Sequence, residues 1–335
     1  MSNRPRSSHE IERRKARAGH IASAVAAVLL ICGPAFAEQT FAGQAFSQQA
    51  MDQQIMAPPE VTATSVFVLN ADTGRPLYAK NENQVFWILS LTKLITADVL
   101  VDRMGDRLSE TVTIDWPHLV RGSTAGLKRR DVWTLQDLLY GMVLVSGNDA
   151  SVAIADHVGR AILAEENKRG DPMKRFVQEM GSAAAALGAE HAQFADPYGL
   201  SPANVATARD VGLIAANIFT DPRLLPAWAC TERTVDIGGP KARTVTLKTT
   251  LEILGEDTVI GAKTGSHVGK NIYNLVTAWR APNGQTIVGV VLGSASHPAR
   301  YDDMHAIMAA LPHDFPALAE PVTGATPRDG DAGCR

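Results

Sequence analysis

A serine and a lysine three residues apart, Ser90 and Lys93, form the first group in the sequence that could do chemistry. Residues at this spacing lie on one face of a helix, so the amine can accept the hydroxyl proton and make the serine a nucleophile. The free N–H groups at a helix N-terminus would also favour an oxyanion beside the serine. Taken alone, the pattern is weak and favours a surface serine and lysine.

Two further groups offer complementary chemistry. Ser146-Gly-Asn148 provides a second hydroxyl and a carboxamide, although this triplet alone is typical of an ordinary loop. Lys263-Thr264-Gly265 provides a cation, a hydroxyl and a glycine that allows a ligand to approach the backbone closely. The three groups together could activate a nucleophile, relay a proton and hold an anionic substrate.

The elements that must position these groups follow from the spacing of apolar residues. Period-two alternation predicts strands at 64–69, 76–80, 274–279 and 286–292, the last two around an Asn283-Gly284 turn. Helical spacing begins at Leu91 and recurs at 135–143, behind a Thr134-x-x-Asp137 capping box, and at 149–158, 172–187, 207–218 and 301–311. This order predicts an α+β fold of the α/β class, with an antiparallel sheet built from both chain ends and a helical layer.

The three groups occur in the order S-x-x-K, S-G-N and K-T-G, at a helix start, an inter-helix loop and a strand. With its longer stretches, the sequence resembles the low-molecular-mass penicillin-binding proteins, the serine-type D-alanyl-D-alanine carboxypeptidases, over residues 60–312. The resemblance implies the transpeptidase fold shared by penicillin-binding proteins and β-lactamases. The stretches that carry it are Ser90-Leu-Thr-Lys-Leu-Ile-Thr-Ala, Asp137-Leu-Leu-Tyr-Gly-Met-Val-Leu-Val-Ser-Gly-Asn-Asp-Ala, Phe194-Ala-Asp-Pro-Tyr-Gly-Leu and Gly261-Ala-Lys-Thr-Gly-Ser.

The resemblance implies an activity: removal of the terminal D-alanine from peptidoglycan stem peptides through an acyl-enzyme, with β-lactam antibiotics as covalent inhibitors. It assigns Ser90 as nucleophile and Lys93 as general base, whose pKa would be lowered by burial and by a nearby cation such as Lys263. Ser146 would relay a proton to the leaving amine, and Asn148 would orient the peptide and hold Lys93.

Substrate binding is also assigned through the resemblance. Lys263 and Thr264 would hold the terminal carboxylate, helped by Arg300, and Gly265 would allow close approach. The backbone N–H groups of Ser90 and Ser266 would form the oxyanion hole.

The sequence departs from the family pattern at three places. Ile88-Leu89 replaces the usual Pro-Ala before the nucleophile, Lys248-Thr249-Thr250 stands where an Asn-rich segment is usual, and Asn204-Val-Ala-Thr-Ala208 replaces His-x-Ser-Thr-Ala. None of these changes removes a reactive group.

Three alternative functions stay open. The stretch Gly199-Leu-Ser-Pro-Ala-Asn-Val-Ala-Thr-Ala-Arg-Asp210 is similar to that of DD-endopeptidases, which cleave peptidoglycan cross-links. A β-lactamase is less favoured, because no Glu-x-x-Leu-Asn stretch is present to activate deacylating water. A non-catalytic wall-binding protein is disfavoured by the intact reactive residues.

The chain ends have their own composition. Residues 1–37 combine six basic residues, an apolar run at 21–31 and Ala35-Phe36-Ala37, which predicts a cleavable secretory signal peptide, with an uncleaved anchor as the alternative. Residues 38–59 are predicted to be a linker and 313–335 a disordered tail. We therefore expect a soluble periplasmic protein without a stable membrane anchor.

Charge and composition limit the partners. Removing residues 1–37 changes the net charge from −3 to −7, which argues against a nucleic-acid partner. The nine histidines show no clear zinc-binding spacing, so no metal and no cofactor are expected. Cys230 and Cys334 could pair in an oxidising compartment, but the sequence leaves this open.

Overall fold

The computed structural model describes residues 58–311. The predicted signal peptide at 1–37, nearly all of the linker, the tail at 313–335 and Cys334 lie outside the described residues. The boundaries proposed for these segments, and the pairing of Cys230 with Cys334, therefore stay predictions.

A five-stranded antiparallel sheet forms the centre of the fold. Its strands are β1 (Ser65–Asn70), β2 (Pro76–Lys80), β9 (Val259–His267), β10 (Ile272–Arg280) and β11 (Thr286–Leu292). They lie in the order β2-β1-β11-β10-β9, so both ends of the chain contribute to the sheet, as predicted.

Three two-stranded pairs lie outside this sheet. They are β3 (Val85–Trp87) with β6 (Val205–Thr207), β4 (Thr111–Thr113) with β5 (Val132–Thr134), and β7 (Glu232–Ile237) with β8 (Arg243–Lys248). The sequence analysis missed all three, because two of the pairs have only three residues a strand and the β7–β8 hairpin carries mostly polar, exposed side chains.

Seven α-helices are present within residues 58–311. They are α1 (Lys93–Met104), α2 (Leu135–Leu144), α3 (Asn148–Glu165), α4 (Pro172–Ala186), α5 (Ala208–Thr220), α6 (Leu225–Ala229) and α7 (Ala299–Ala309). The predicted helices are confirmed, although α3 runs further than expected. Helix α2 begins as predicted, since the Thr134 hydroxyl accepts a hydrogen bond from the Asp137 backbone N–H at 3.0 Å.

The sheet is covered on both faces, which explains why β10 and β11 are almost wholly buried. Alternate side chains of these strands point to opposite faces. Val276 and Val290 join the core shared with the large helical layer, whereas Leu275 and Val291 join a second core under α7. The predicted antiparallel sheet with a packed helical layer is therefore confirmed, and β9, which carries Lys263, lies at the sheet edge.

Candidate active site

The candidate nucleophile Ser90 lies in a 3-10 turn, Leu89–Thr92, that leads directly into α1. Leu89 has a left-handed backbone (φ +54°), which is rare for a branched side chain and is held here by tight packing. A Cβ atom on Gly199 would lie 1.9 Å from the Leu89 carbonyl oxygen. A Cβ on Gly265 would lie 2.4 Å from the Ile88 carbonyl oxygen. Only glycine fits at these two positions, so the nucleophile turn packs closely against β9 at Gly265 and against the loop before β6 at Gly199.

Lys93 is fully buried, and its amine contacts the candidate nucleophile. Its Nζ lies 3.0 Å from Ser90 Oγ and donates to Asn148 Oδ1 at 2.8 Å and to the Tyr198 carbonyl oxygen at 2.9 Å. Burial lowers the pKa of Lys93 well below its usual value, and the charge of Lys263 lowers it further. The amine is therefore placed and tuned to take the proton of Ser90.

Asn148 is the first residue of α3 and connects Lys93 to the loop on the other side of the cleft. Its Nδ2 donates to the Arg121 carbonyl oxygen at 3.0 Å, and its backbone N–H donates to the Ser123 carbonyl oxygen at 2.8 Å. Gly122 (φ +98°) packs so closely that a Cβ there would lie 2.5 Å from Asn148 Nδ2. The carboxamide is thus fixed in orientation, with its oxygen towards the lysine.

A buried carboxylate, Asp149, holds the cleft loop in place. It accepts hydrogen bonds from the Thr124 hydroxyl and from the backbone N–H groups of Ala125 (2.8 Å), Leu127 (3.1 Å) and Ala150 (2.9 Å). Asp149 therefore anchors residues 124–127 beside the start of α3.

A second polar network positions the carbonyl that receives Lys93. The Asp196 carboxylate accepts from the backbone N–H groups of Tyr198 and Ser201, at 2.9 and 2.7 Å. Asn204, which is completely buried, accepts from the N–H of Asp196 and donates to its carbonyl oxygen. Asn204, where the sequence departs from the family pattern, therefore holds in place the loop that carries Tyr198.

Ser146 lies between α2 and α3 as predicted, with a left-handed backbone (φ +56°). Within residues 58–311 its hydroxyl makes no hydrogen bond. It lies two residues before Asn148, the first residue of α3, and its hydroxyl remains free to contact a ligand.

Lys263 lies on the edge strand β9 and is buried, with Nζ donating to the Thr264 carbonyl oxygen at 2.9 Å. Burial and the nearby charge of Arg300 lower the pKa of Lys263 to about 7. Thr264 is half-buried, and Ser266 is exposed at the cleft. This strand therefore offers a cation and two hydroxyl groups along one edge.

Arg300, at the start of α7, is 2% exposed and directs its guanidinium towards β9. One Nη donates to Ser266 Oγ, and the other lies 2.8 Å from His297 Nε2 and 3.3 Å from the Tyr301 hydroxyl. No carboxylate among residues 58–311 pairs with it. A buried cation without a counter-ion beside Lys263 makes this end of the cleft suitable for an anion.

The model of the D-alanyl-D-alanine carboxypeptidase family (peptidase S11) matches residues 52–296, more than half of the chain. The chain belongs to the D-alanyl-D-alanine carboxypeptidase family. A D-alanyl-D-alanine carboxypeptidase of Streptomyces sp. strain K15 is 32% identical over 260 residues, which cover 75% of this chain and 87% of that protein. The Escherichia coli D-alanyl-D-alanine carboxypeptidase DacD is 30% identical over 267 residues, 75% of this chain and 63% of its own length.

The crystal structure of the Streptomyces K15 DD-transpeptidase agrees with this family membership. It superposes with a TM-score of 0.68 at 30% sequence identity and covers 76% of this chain and 98% of that one. A D-alanyl-D-alanine endopeptidase of Pseudomonas aeruginosa is also similar, at 31% identity over 186 residues, 54% of this chain and 55% of that protein. The chain is thus a serine peptidase of a family that acts on peptidoglycan.

The structure of this carboxypeptidase family member brings the sequence-predicted groups to one cleft: Ser90, Lys93 and Asn148 in direct contact, and Ser266 with Arg300 beside Lys263. The sequence analysis missed the supporting network of Asp196, Asn204 and Gly199. The turn-forming stretch around Asp196 was the one local signal available, since this stretch contacts α1 from about a hundred positions further along the chain.

Proposed function

We propose that this protein is a serine-type D-alanyl-D-alanine carboxypeptidase that removes the terminal D-alanine from peptidoglycan stem peptides, with Ser90 as nucleophile. The observation that carries the proposal is the contact of the buried Lys93 amine with Ser90 Oγ at 3.0 Å. A lysine at its usual pKa would be charged and could not accept a proton at neutral pH. Burial and the charge of Lys263 favour the neutral amine that a general base needs.

In the acylation step, Ser90 Oγ attacks the carbonyl of the penultimate D-alanine and its proton passes to Lys93 Nζ. The oxyanion that forms would be held by the backbone N–H groups of Ser90 and Ser266. Collapse of the intermediate breaks the C–N bond to the terminal D-alanine, and the proton reaches the leaving amine through the free hydroxyl of Ser146. Asn148 keeps Lys93 in place and presents its carboxamide to the substrate peptide.

In the deacylation step, water attacks the ester and gives its proton to Lys93. The ester C–O bond then breaks, and Ser90 recovers its proton. A β-lactam would enter the same first step, but its ring opens without releasing a leaving amine, so a penicilloyl ester on Ser90 would persist. The proposed inhibitors are therefore covalent.

The terminal carboxylate of the substrate would bind at the cationic end of the cleft. Arg300 supplies a charge without a counter-ion, Lys263 a second charge and Thr264 a hydroxyl. Gly265 does not give a ligand the open approach expected from the sequence, because a Cβ there would lie 2.4 Å from the Ile88 carbonyl oxygen. A bound carboxylate would favour the charged form of Lys263, whose pKa in the substrate-free protein is about 7. Recognition of a free carboxylate fits a carboxypeptidase.

A DD-endopeptidase is the second candidate. The Gly199–Asp210 stretch and the similarity to the endopeptidase of Pseudomonas aeruginosa favour it. The two activities use the same acyl-enzyme and differ in the leaving group, which is free D-alanine in one case and a cross-linked stem peptide in the other.

The test incubates residues 38–335 and a Ser90→Ala variant with a pentapeptide ending in D-Ala-D-Ala and, separately, with a cross-linked muropeptide dimer. Free D-alanine from the wild type, absent with Ser90→Ala, is the expected result. Dimer cleavage without D-alanine release would establish the endopeptidase instead, and turnover by Ser90→Ala would refute the proposed nucleophile.

The proposed location is the periplasm, after export through the predicted signal peptide. Within residues 58–311 no helix is long and apolar enough to cross a membrane. Fractionation of the mature protein tests the proposal, and retention in the membrane fraction after a high-salt wash would contradict it.

A further inference from the structure

His297 touches Arg300, and the sequence analysis gave this histidine no role. It lies just before α7, and its Nε2 is 2.8 Å from an Nη of Arg300. A guanidinium has only N–H donors, so Nε2 must be the acceptor and must carry no proton. The contact therefore exists only with the histidine in one tautomer of its neutral form.

Three charged or titratable groups face the His297 ring. Arg300 and Tyr301 belong to α7, with the Tyr301 ring centroid 5.9 Å away. Glu252, in the segment after β8, places Oε1 3.8 Å from Nδ1. The glutamate favours a proton on Nδ1, which leaves Nε2 free to accept from Arg300.

Arg300 otherwise has few fixed contacts. Its remaining hydrogen-bond partners are the hydroxyls of Ser266 and Tyr301, and its Cζ lies 4.9 Å from the centroid of the Tyr301 ring. Its buried Nε has no hydrogen-bond partner within the described residues. Among these residues His297 is therefore its one ring-nitrogen acceptor, and it helps to fix the plane of the guanidinium fork. The orientation of that fork decides how well two parallel N–H groups meet a carboxylate.

We propose that His297 is a positioning residue that orients Arg300 for the substrate carboxylate, and that it does so only while its imidazole is neutral. This inference rests on the proposed function, because it deepens the role of Arg300 there. Protonation would turn Nε2 into a donor and place a second positive charge against Arg300. Protonation in acid would therefore release the guanidinium.

The test measures kcat and KM for D-alanine release, together with the rate of penicillin acylation, in variants of His297. His297→Ala removes the acceptor and at pH 8 should raise KM about 3–10-fold, the usual effect of one hydrogen bond, with kcat nearly unchanged. His297→Gln keeps an acceptor at the same place and should restore KM. His305→Ala is the matched control, since His305 is equally exposed (49%) and beside a glutamate but does not contact Arg300.

The pH profile separates positioning from a merely structural role. Dividing the wild-type kcat/KM by that of His297→Gln cancels the titration of the two cleft lysines, which both enzymes share. The ratio should be about 1 while the imidazole is neutral and fall about 3–10-fold once acid protonates it. A ratio that is constant or rises in acid, or a wild-type KM for His297→Ala, would overturn the inference.

Failure of the proposed function would look different. A wild type that releases no D-alanine but still acylates with penicillin would refute the carboxypeptidase. His297 would then be judged by the same ratio, taken on the acylation rate.

Discussion

Replacement of Asp149 by alanine should damage both stability and acylation, although Asp149 itself does not touch Ser90. The carboxylate is 2% exposed and is the acceptor for the buried backbone N–H groups of Ala125 and Leu127. Each buried donor left without a partner costs about 1–3 kcal/mol, so Asp149→Ala should lower the free energy of unfolding by about 2–6 kcal/mol.

Asp149→Asn provides a graded test. An asparagine oxygen at the Oδ1 position can still accept from Ala125 and Ala150, but its amide nitrogen would face the N–H of Leu127. One orphaned donor instead of two predicts a loss of about 1–3 kcal/mol. The loss should therefore be intermediate between wild type and Asp149→Ala.

Loss of the Asp149 carboxylate should affect acylation through the loop at 121–127. Asn148 donates to the carbonyl oxygens of Arg121 and Ser123, which directly precede the segment 124–127 that Asp149 anchors. A misplacement of about 1 Å at such a site can cost about 10²-fold in rate, so acylation by a fluorescent penicillin should slow by about 10–100-fold in Asp149→Ala.

Urea unfolding with a common m-value, alongside stopped-flow acylation, measures both effects. Asp171→Ala is the control, because Asp171 caps α4 with two exposed hydrogen bonds and should cost about 1 kcal/mol without slowing acylation. An unchanged urea midpoint for Asp149→Ala would refute the reasoning.

Three further predictions concern the same domain. Burial and the neighbouring carboxylates raise the pKa of Asp98 to about 7. The folded state therefore binds this proton more tightly than the unfolded chain, and the free energy of unfolding falls as pH rises from about 4 to 7. Asp98→Asn should abolish that slope and raise the urea midpoint at pH 8, and parallel wild-type and variant curves would contradict this. Gly199→Ala should lower the free energy of unfolding by at least about 2 kcal/mol, because its Cβ would meet the Leu89 carbonyl oxygen. Gly126→Ala, where φ is +80° but the space is open, should cost only about 1 kcal/mol in thermal or urea unfolding. Equal losses in the two variants would contradict this. Lys93→Met should leave the fold intact but slow penicillin acylation by at least about 10²-fold, and near-normal acylation would eliminate Lys93 as the base.

Much of the sheet and the helical layer could be predicted from the sequence, because both depend on apolar periodicity within a single segment. The strands at 286–292 and 76–80 have the same limits in the structure as in the prediction. The β7–β8 hairpin could not be found in this way, since most of its side chains are polar and it packs against the domain through α2 and the Arg243–Asp131 ion pair.

The reactive groups of the site were also predictable, but their supports were not. Ser90 and Lys93 are local neighbours, so their contact follows from helix geometry. The carbonyl that receives Lys93 belongs to Tyr198, and it is placed by Asp196 and Asn204, whose contacts with α1 span about a hundred residues. Such long-range polar contacts leave no periodic signal in a single sequence.

The central claim is that Ser90 forms the covalent acyl-enzyme. The most direct measurement is the intact mass of residues 38–335 after incubation with benzylpenicillin, followed by peptide mapping, for the wild type and Ser90→Ala. The wild type should gain the mass of one penicillin on the peptide that contains Ser90, and Ser90→Ala should gain none. An adduct on another residue, or a wild type that never acquires one, would contradict the account.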